Sequence, residues 1–420
     1  MLYISEGGIN RDISHQEFTD LTKKALNMLS ERRKVLILPP DYSRIASQAG
    51  VAALAAYKFY GSAVTDILPA TGTHIPMTPE EINRMYPGLP QNLFRTHNWR
   101  KDVKTLGRIP ADFIREISSS ELDFDWPVQV NSLLSDGGHD LILSIGQVVP
   151  HEVVGMANHN KNLFVGTGGV EAINKSHYIG AVHGLEKLMG QIDTPVRRLF
   201  NRAQTDFGKN LPVVYVQTVV AADADGLLKL RGVYIGDDDE CFKKAAKLSQ
   251  QVNITRLPGR MKRITVFLQP DKFRSTWIGN KAIYRSRMAI IDGGELNIIA
   301  PGVDRFGEDP GIDALIRKYG YRGTEATVRA VKNNKDLRNS LATAAHLIHS
   351  STEGRFRINF AAGGLSSTEI TSAGFNSLDL TAAKNLFKPE EKKAGINLDA
   401  EGNEFYLIKN AGIGLWTAED

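Results

Sequence analysis

The stretch Lys34-Val-Leu-Ile-Leu-Pro-Pro-Asp41-Tyr-Ser-Arg44 decides the fold, because a short apolar run leads directly into polar residues. Such a run is typical of a buried strand. The Ala-rich residues 48–60 favour a helix, and a second apolar run from Ala63 ends in Ala70-Thr-Gly-Thr-His74. This alternation of strand, loop, helix and strand predicts an α/β fold with a parallel sheet.

A third predicted strand lies further along the chain. The apolar run from Asp140 continues into Gly146-Gln-Val-Val-Pro-His151. Asp41, His74 and His151 therefore each follow a predicted strand. Because ligands of open α/β sheets bind at the carboxyl ends of the strands, these side chains are candidates for one site.

The domain organisation follows from length and from one change of composition. A chain of 420 residues favours two domains. The basic, Pro/Gly-containing residues 256–263 indicate a boundary near residue 258. We expect two α/β domains with parallel-type sheets, 1–258 and 259–384, and an active-site cleft between them. Residues 385–420 are expected to pack back onto the first domain or to stay with the second.

Secondary structure is also predicted beyond these strands. Residues 213–220 and 228–235 are two apolar runs joined through Asp225-Gly226, which predicts a hairpin. Residues 324–349 favour one long helix.

Composition limits the function classes. The net charge is only +4, with 42% hydrophobic and 23% charged residues, so nothing requires a nucleic-acid partner. No apolar run is long enough to span a membrane, and the N-terminal residues lack the pattern of a secretory signal. The single cysteine, Cys241, makes neither an intramolecular disulfide nor a Cys-rich zinc site. We expect a cytoplasmic protein.

Histidines supply the candidate chemistry. Besides His74, five histidines fall between residues 139 and 183: His139, His151, His159, His177 and His183. Imidazole transfers protons near neutral pH and ligates borderline metals. A His-Glu-x-x-His zinc motif is missing, which counts against a metal hydrolase. Gly166-Thr-Gly-Gly169 fails as a dinucleotide fingerprint, since Glu171 stands at the sixth position; it is a turn or a set of N–H groups near a phosphate.

Ordered motifs then carry a resemblance to a known family. They are Asp41-x-x-Arg44, Gly72-Thr-His74, Pro150-His151, Lys161 ten residues later, His177 and Trp277-x-x-x-Lys281. Together they resemble the lactate racemase family, which uses the nickel-pincer nucleotide. The match spans residues 41–281.

The resemblance implies roles for these residues. Lys161 would carry the nickel-pincer nucleotide covalently, and His177 would be the protein ligand to Ni(II). His74 and His151 would be the two acid/base groups. Arg44, Lys281 and Trp277 would bind the substrate. Asp41 would orient Arg44 or the cofactor, and Gly168 and Gly169 would lie near the cofactor phosphate.

The sequence departs from the family pattern at two places. Asn158-His-Asn precedes Lys161 where the family has Gly-Gly-Arg, and Trp277-Ile278 replaces Tyr-Gln. The second change predicts a substrate other than lactate, such as a larger 2-hydroxy acid or a sugar acid. Residues 1–258 would then be the cofactor-binding catalytic domain, and the second domain would contribute substrate-binding residues.

The resulting prediction is an isomerase. It would racemise or epimerise a 2-hydroxy acid by reversible hydride abstraction from the carbinol carbon. Its partners would be this small molecule and the cofactor-maturation enzymes, while the oligomeric state is left open. A nicotinamide-dependent dehydrogenase, a metal hydrolase and a non-catalytic small-acid-binding protein remain alternatives.

Overall fold

The computed structural model describes residues 1–119, 121–223 and 226–419. The chain divides into two compact units, the first of residues 1–179 and 190–253, the second of residues 180–189 and 254–420. Within the described residues, no helix is both long and apolar enough to cross a membrane.

The first unit is built on one large sheet. Its strands are β1 (Leu2–Gly7), β2 (Val35–Leu38), β3 (Val64–Ile67), β4 (Val103–Ile109), β5 (Trp126–Asn131), β6 (Leu141–Gln147), β7 (Pro150–His151), β8 (Gly155–Met156), β9 (Val213–Ala222) and β10 (Leu228–Gly236). In the part of the chain that is described, six of them form a sheet in the order β1-β10-β9-β6-β2-β3. β3, β2, β6 and β9 run parallel; β10 pairs antiparallel with β9, and β1 pairs antiparallel with β10.

The sequence pattern explains the centre of this sheet. Every residue of β2 and of β6 is buried, as expected for strands covered on both faces. The predicted hairpin is confirmed by the antiparallel pairing of β9 with β10, while residues 224 and 225 of its Asp225-Gly226 turn lie outside the described residues. The parallel order is the predicted α/β arrangement.

Helices connect these strands. Up to residue 253 they are α1 (His15–Asn27), α2 (Ala49–Tyr60), α3 (Pro79–Met85), α4 (Ala111–Ile117), α5 (Ser132–Asp136), α6 (Val170–His183), α7 (Leu185–Leu188), α8 (Pro195–Asp206) and α9 (Asp239–Asn253). Shorter 3₁₀ turns span Tyr42–Ser47, Gly61–Ala63 and Gln91–Leu93, and a π-helical turn spans Asn162–Gly166. At α3, Thr78 and Glu81 form a reciprocal cap around Pro79.

The second unit has a sheet of the same type. Its strands are β11 (Ile254–Leu257), β12 (Met261–Phe267), β13 (Ile290–Ala300), β14 (Arg357–Ala362), β15 (Asn376–Ser377), β16 (Gly395–Leu398), β17 (Glu404–Ile408) and β18 (Leu415–Ala418). Within the described residues, the order β15-β14-β13-β12-β17-β16 forms a sheet that is parallel except for β16. Both units are therefore α/β, as predicted.

The helices of the second unit follow the strands in alternation. They are α10 (Thr276–Gly279), α11 (Lys281–Ser286), α12 (Pro310–Tyr319), α13 (Thr324–Asn333), α14 (Lys335–Arg338), α15 (Leu341–His349), α16 (Ser367–Ser372) and α17 (Leu380–Phe387), with a 3₁₀ turn at Arg287–Ala289. The single helix predicted for residues 324–349 is wrong. Asn334 and Ser340 leave the helical conformation and divide it into three.

The end of the chain supplies strands to the second unit. β17 pairs with β12, and β18 pairs with β11, in each case inside that unit. These pairings join segments that are far apart in sequence, and composition carries no signal for them.

Candidate active site

The carboxyl ends of β2, β3 and β6 bring the first candidate residues together. We call this region, with the loops that follow these strands, the first carboxyl edge. The loops are joined directly, since the N–H of Ala70 donates to the carbonyl of Pro39 at 2.8 Å. The Tyr86 hydroxyl also donates to the carbonyl of Pro40, one residue before Asp41. Asp41 is therefore fixed from both sides of its loop.

Asp41 and His74 form a hydrogen-bonded pair at this edge. Oδ2 of Asp41 lies 2.5 Å from Nδ1 of His74, and the Ser43 hydroxyl donates to Oδ1 at 2.5 Å. Burial alone would raise the pKa of Asp41, but the His74 imidazole and the hydroxyl lower it to about 2. An ionised carboxylate on Nδ1 leaves Nε2 of His74 for proton transfer. Arg44 acts on Asp41 only through its charge.

The His74 loop is tied to the segment that contains Lys161. The N–H of Gly72 donates to the carbonyl of Gly166 at 2.9 Å, and Gly72 has a φ of +57°. A side chain there would have to adopt a left-handed conformation with its Cβ 3.2 Å from the carbonyl oxygen of Val165. Glycine at this position thus permits the close approach of the two loops.

His151 lies on the short hairpin of β7 and β8 and is buried. Its Nδ1 accepts a hydrogen bond from the N–H of Val153 at 3.1 Å. Burial lowers the pKa of His151 well below its usual value; Glu152 opposes this shift, while the charges of Lys161 and Arg44 add to it. His151 therefore shares its surroundings with both cations and is held as neutral imidazole.

A buried loop holds the backbone before Lys161. Asn158 and His159 have positive φ values of 71° and 58°, which costs energy in residues other than glycine. The Asn158 amide donates to Gln217 at 2.6 Å, and the Arg197 guanidinium donates to the carbonyl of Met156 at 2.7 Å. These buried hydrogen bonds compensate the strained conformation and fix the direction in which the chain reaches Lys161.

Lys161 is the exception within residues 153–169, all of which the structure describes. Every other residue of that range is buried, whereas the Lys161 side chain is half-buried. Burial lowers the pKa of Lys161 to about 8, and Arg44 adds to the shift while Glu152 and Asp41 oppose it. The amine is therefore far more often deprotonated near neutral pH than an ordinary lysine.

A π-helical turn follows Lys161, and such turns are frequent at functional sites. Gly168 and Gly169, just after this turn, are closely packed. A Cβ on Gly168 would lie 2.1 Å from the carbonyl oxygen of Phe164, and one on Gly169 would lie 2.5 Å from Oε1 of Gln129. The Gly168 carbonyl accepts a hydrogen bond from Nε2 of His97 at 3.1 Å. Packing thus already requires both glycines.

His177 projects from α6. Its Nδ1 lies 2.7 Å from the carbonyl oxygen of Ile173, so Nδ1 carries the hydrogen and Nε2 keeps its lone pair. Burial lowers the pKa of His177 to about 4, and the charge of Lys161 adds to the shift. A neutral imidazole with a fixed tautomer is the form that ligates a metal.

Other histidines of the 139–183 range lie elsewhere. Nε2 of His139 is 3.1 Å from Asp66. The His159 ring packs 4.0 Å from Tyr215 and 5.3 Å from Phe242, measured between ring centroids. These two histidines are structural, so nearness in sequence overstates the cluster.

Trp277 and Lys281 belong to the second unit. Trp277 lies in α10, and its ring centroid is 4.6 Å from that of His346. Lys281 begins α11. In the same helix Arg285 is fully buried and donates to the carbonyl of Gly414 at 2.8 Å.

Two functional candidates escaped the motif search. Glu152 follows His151, and its Oε2 lies 3.6 Å from Nδ1 of that ring. Arg197 is buried beneath the Lys161 loop. The signal for Glu152 was its place directly after His151. Arg197 gives no such signal, since it is 36 residues beyond Lys161 in sequence.

A known family model matches part of the chain. Residues 20–188 match the family model described as the lactate racemase N-terminal domain. No curated protein sequence matches the chain.

Solved structures share the fold. A protein from Thermotoga maritima has 23% identity and a TM-score of 0.85, over 99% of this chain and 100% of that one. The lactate racemase apoprotein from Thermoanaerobacterium thermosaccharolyticum has 16% identity and a TM-score of 0.69, over 99% of this chain and 94% of that one. The resemblance to the lactate racemase family that the motifs indicate is thus confirmed by the match of residues 20–188.

Proposed function

We propose that the protein is a nickel-pincer nucleotide-dependent racemase or epimerase of a 2-hydroxy acid. One observation carries the proposal: the Asp41–His74 pair, His151 and the Lys161 amine share the first carboxyl edge of a lactate racemase N-terminal domain. Two imidazoles and a weakly basic amine in one place suit proton transfer beside a covalently held group.

The residues present fit this cofactor. The Lys161 amine, with a pKa of about 8, is poised for covalent attachment, and Nε2 of His177 has the lone pair that a metal needs. Among the described residues, no three His, Cys, Asp or Glu side chains gather into a metal site. The nickel-pincer nucleotide would supply the remaining ligands of Ni(II), so that the single imidazole of His177 would suffice on the protein side.

When bound, the cofactor supplies a hydride acceptor for the carbinol carbon. The chain's own residues move the proton and hold the substrate. Nε2 of His74 accepts the hydroxyl proton from one enantiomer, because Asp41 holds Nδ1, and His151 serves the other enantiomer from the opposite face. Arg44 grips the substrate carboxylate with two parallel hydrogen bonds, and Lys281 adds a second cation.

Substrate choice depends on the second unit. Trp277-Ile278 stands where the family has Tyr-Gln, next to the proposed carboxylate ligand Lys281. We propose that carboxylate capture is kept and that side-chain discrimination changes, which favours a larger hydroxy acid or a sugar acid over lactate. A kcat/KM for lactate above that for every longer acid of a panel would contradict this assignment.

Mass spectrometry of Lys161 tests the activity. Protein produced with the cofactor-maturation enzymes should carry an adduct on Lys161, contain nickel and racemise or epimerise a hydroxy acid. Protein produced without them should have none of these properties. His177→Ala should lose nickel and keep the adduct, whereas the control His183→Ala, on the same helix, should keep both. Activity with an unmodified Lys161 and no nickel would overturn the proposal.

A further inference from the structure

Glu152 places a carboxylate beside an acid/base candidate. Its side chain is 19% exposed, and Oε2 lies 3.6 Å from Nδ1 of His151. Its negative charge also acts on Lys161 and His177, where it opposes the shifts that burial causes. Glu152 is thus close to the groups of the first carboxyl edge, yet the family motifs assign it no role.

The hydrogen bonding of His151 shows why a carboxylate matters there. Nδ1 accepts from the N–H of Val153 at 3.1 Å, so the neutral ring carries its hydrogen on Nε2. A ring in this tautomer donates from Nε2 and has no lone pair there to accept a proton. Proton acceptance at Nε2 requires the other tautomer, whose Nδ1–H needs an acceptor in place of the Val153 N–H.

His74 already has the arrangement that His151 lacks. Oδ2 of Asp41 lies 2.5 Å from Nδ1 of His74, which holds that ring with its lone pair on Nε2. For His151 the corresponding carboxylate is Glu152 at 3.6 Å, about half an ångström beyond hydrogen-bond range. Both imidazoles are therefore accompanied by a carboxylate on the same ring nitrogen, at two different distances.

We propose that Glu152 is a positioning residue that accepts a hydrogen bond from Nδ1–H of His151 and so allows Nε2 to accept a proton. A small side-chain rotation closes the gap, and the ring exchanges the Val153 N–H for the carboxylate. The inference rests on the proposed function for its catalytic consequence, but the pairing itself is a property of the chain.

The proton balance is simple. The proton leaves the substrate hydroxyl oxygen and binds Nε2 of His151, which becomes imidazolium. The hydrogen on Nδ1 stays on the ring and stays hydrogen-bonded to Glu152, which remains a carboxylate throughout. On the return step Nε2 gives the proton back. Glu152 touches neither substrate nor cofactor.

Nitrogen NMR of the apoprotein tests the pairing without any cofactor. Ring ¹⁵N shifts report which imidazole nitrogen carries the hydrogen, and His151→Gln identifies the signals. We expect a measurable share of Nδ1–H tautomer in the wild type. Glu152→Gln should sharply lower that share, because a neutral amide oxygen is a weaker acceptor for Nδ1–H than a carboxylate and the amide NH₂ can donate to Nδ1 instead, and Glu152→Asp should retain part of it. Identical His151 signals in the wild type and in Glu152→Gln would overturn the proposal.

Kinetics of the loaded protein complete the test, with a matched control elsewhere in the first unit. Asp239 stands 3.9 Å from Nε2 of the structural His159, so Asp239→Asn removes a similar carboxylate–imidazole pair. Glu152→Gln should lower kcat about ten- to hundredfold at little changed KM, whereas Asp239→Asn should retain wild-type kcat. Equal kcat values for the two variants would contradict the positioning role. An inactive loaded wild type whose NMR still shows the pairing would overturn the proposed function and support the pairing.

Discussion

The carboxyl edges of the two sheets differ although the sheets are alike. In the first unit, β2, β3 and β6 lead into Asp41, His74 and His151. In the second unit, the parallel strands β13 and β14 lead into Pro301-Gly302 and Gly363-Gly364. We call this the second carboxyl edge. Directly after these two strands the second unit thus presents backbone, whereas the first unit presents titratable side chains at its strand ends.

Packing explains the difference. A Cβ on Gly302 would lie 2.4 Å from the carbonyl oxygen of Pro270, and one on Gly363 would lie 2.0 Å from that of Pro301. The charged pair at this edge, Asp304 and Arg305, is closed at 2.7 Å and exposed to solvent. The second carboxyl edge is therefore filled by its own backbone. The carboxyl ends of parallel strands are where a site can form, and the residues directly after the strands decide whether one forms there.

The largest expected effect is at the histidines of the first carboxyl edge. His74→Ala or His151→Ala should lower the turnover of loaded protein by about two to four orders of magnitude, the usual value of a positioned acid/base group. Steady-state racemisation assays with both enantiomers measure it. A near wild-type rate in either variant would contradict the proposed acid/base role of that histidine, and with it the difference in function between the two edges.

The second-largest effect is expected for the reactivity of the Lys161 amine. Since its pKa is about 8, its amine is deprotonated and nucleophilic from about pH 8 upward. A lysine in a model peptide has a pKa near 10.4, so the deprotonated fraction of Lys161 at pH 8 should be about a hundredfold larger than that of such an amine. Competitive acylation of the apoprotein at pH 8, read by peptide mass spectrometry, compares Lys161 with the exposed Lys272. Equal extents of acylation would show that the first carboxyl edge does not activate its lysine.

A smaller effect is expected at Lys281, the cation that the second unit is proposed to contribute. Lys281→Met should raise KM about tenfold, the usual loss for one charge-assisted hydrogen bond to a carboxylate. Lys272→Met is the matched control and should leave KM unchanged. An unaltered KM in Lys281→Met would restrict carboxylate binding to the first unit.

The smallest effect should come from the second carboxyl edge. Asp304→Asn opens the exposed pair with Arg305, and such surface pairs contribute little. We expect kcat/KM within about twofold of wild type and a nearly unchanged melting temperature. A larger loss of activity, measured with the same assay, would show that this edge also takes part in the chemistry.

The strands of the first sheet were predictable because apolar runs ended at polar clusters. The alternation of β2, α2 and β3 is visible in composition alone, and the resulting parallel order brings Asp41 and His74 to one edge. The break of the helix over residues 324–349 was not predictable, because Asn334 and Ser340 are only moderately unfavourable in helices. Long-range pairing of β17 with β12 likewise depends on contacts across the chain.

For the site, the sequence identified candidate residue types, but it did not show which of them share the same surroundings in the fold. His151 and His159 are eight residues apart and equally buried, yet one belongs to the first carboxyl edge and the other packs between aromatic rings. The pattern placed Asp41 and His74 at one edge of the sheet, but it did not specify the hydrogen bond between these residues, which are 33 positions apart. Ring contacts and hydrogen bonds are set by the tertiary fold.

The burial of residues 153–169 around a single half-exposed lysine has a consequence for cofactor loading. Backbone amides in a buried, hydrogen-bonded segment exchange with solvent mainly when the surrounding structure opens. This segment should therefore contain some of the slowest-exchanging amides of the first unit, before and after the adduct forms. A loading enzyme would therefore bind a segment that is already folded, in which only the Lys161 side chain is partly exposed. Attachment of the cofactor would need no unfolding of the target.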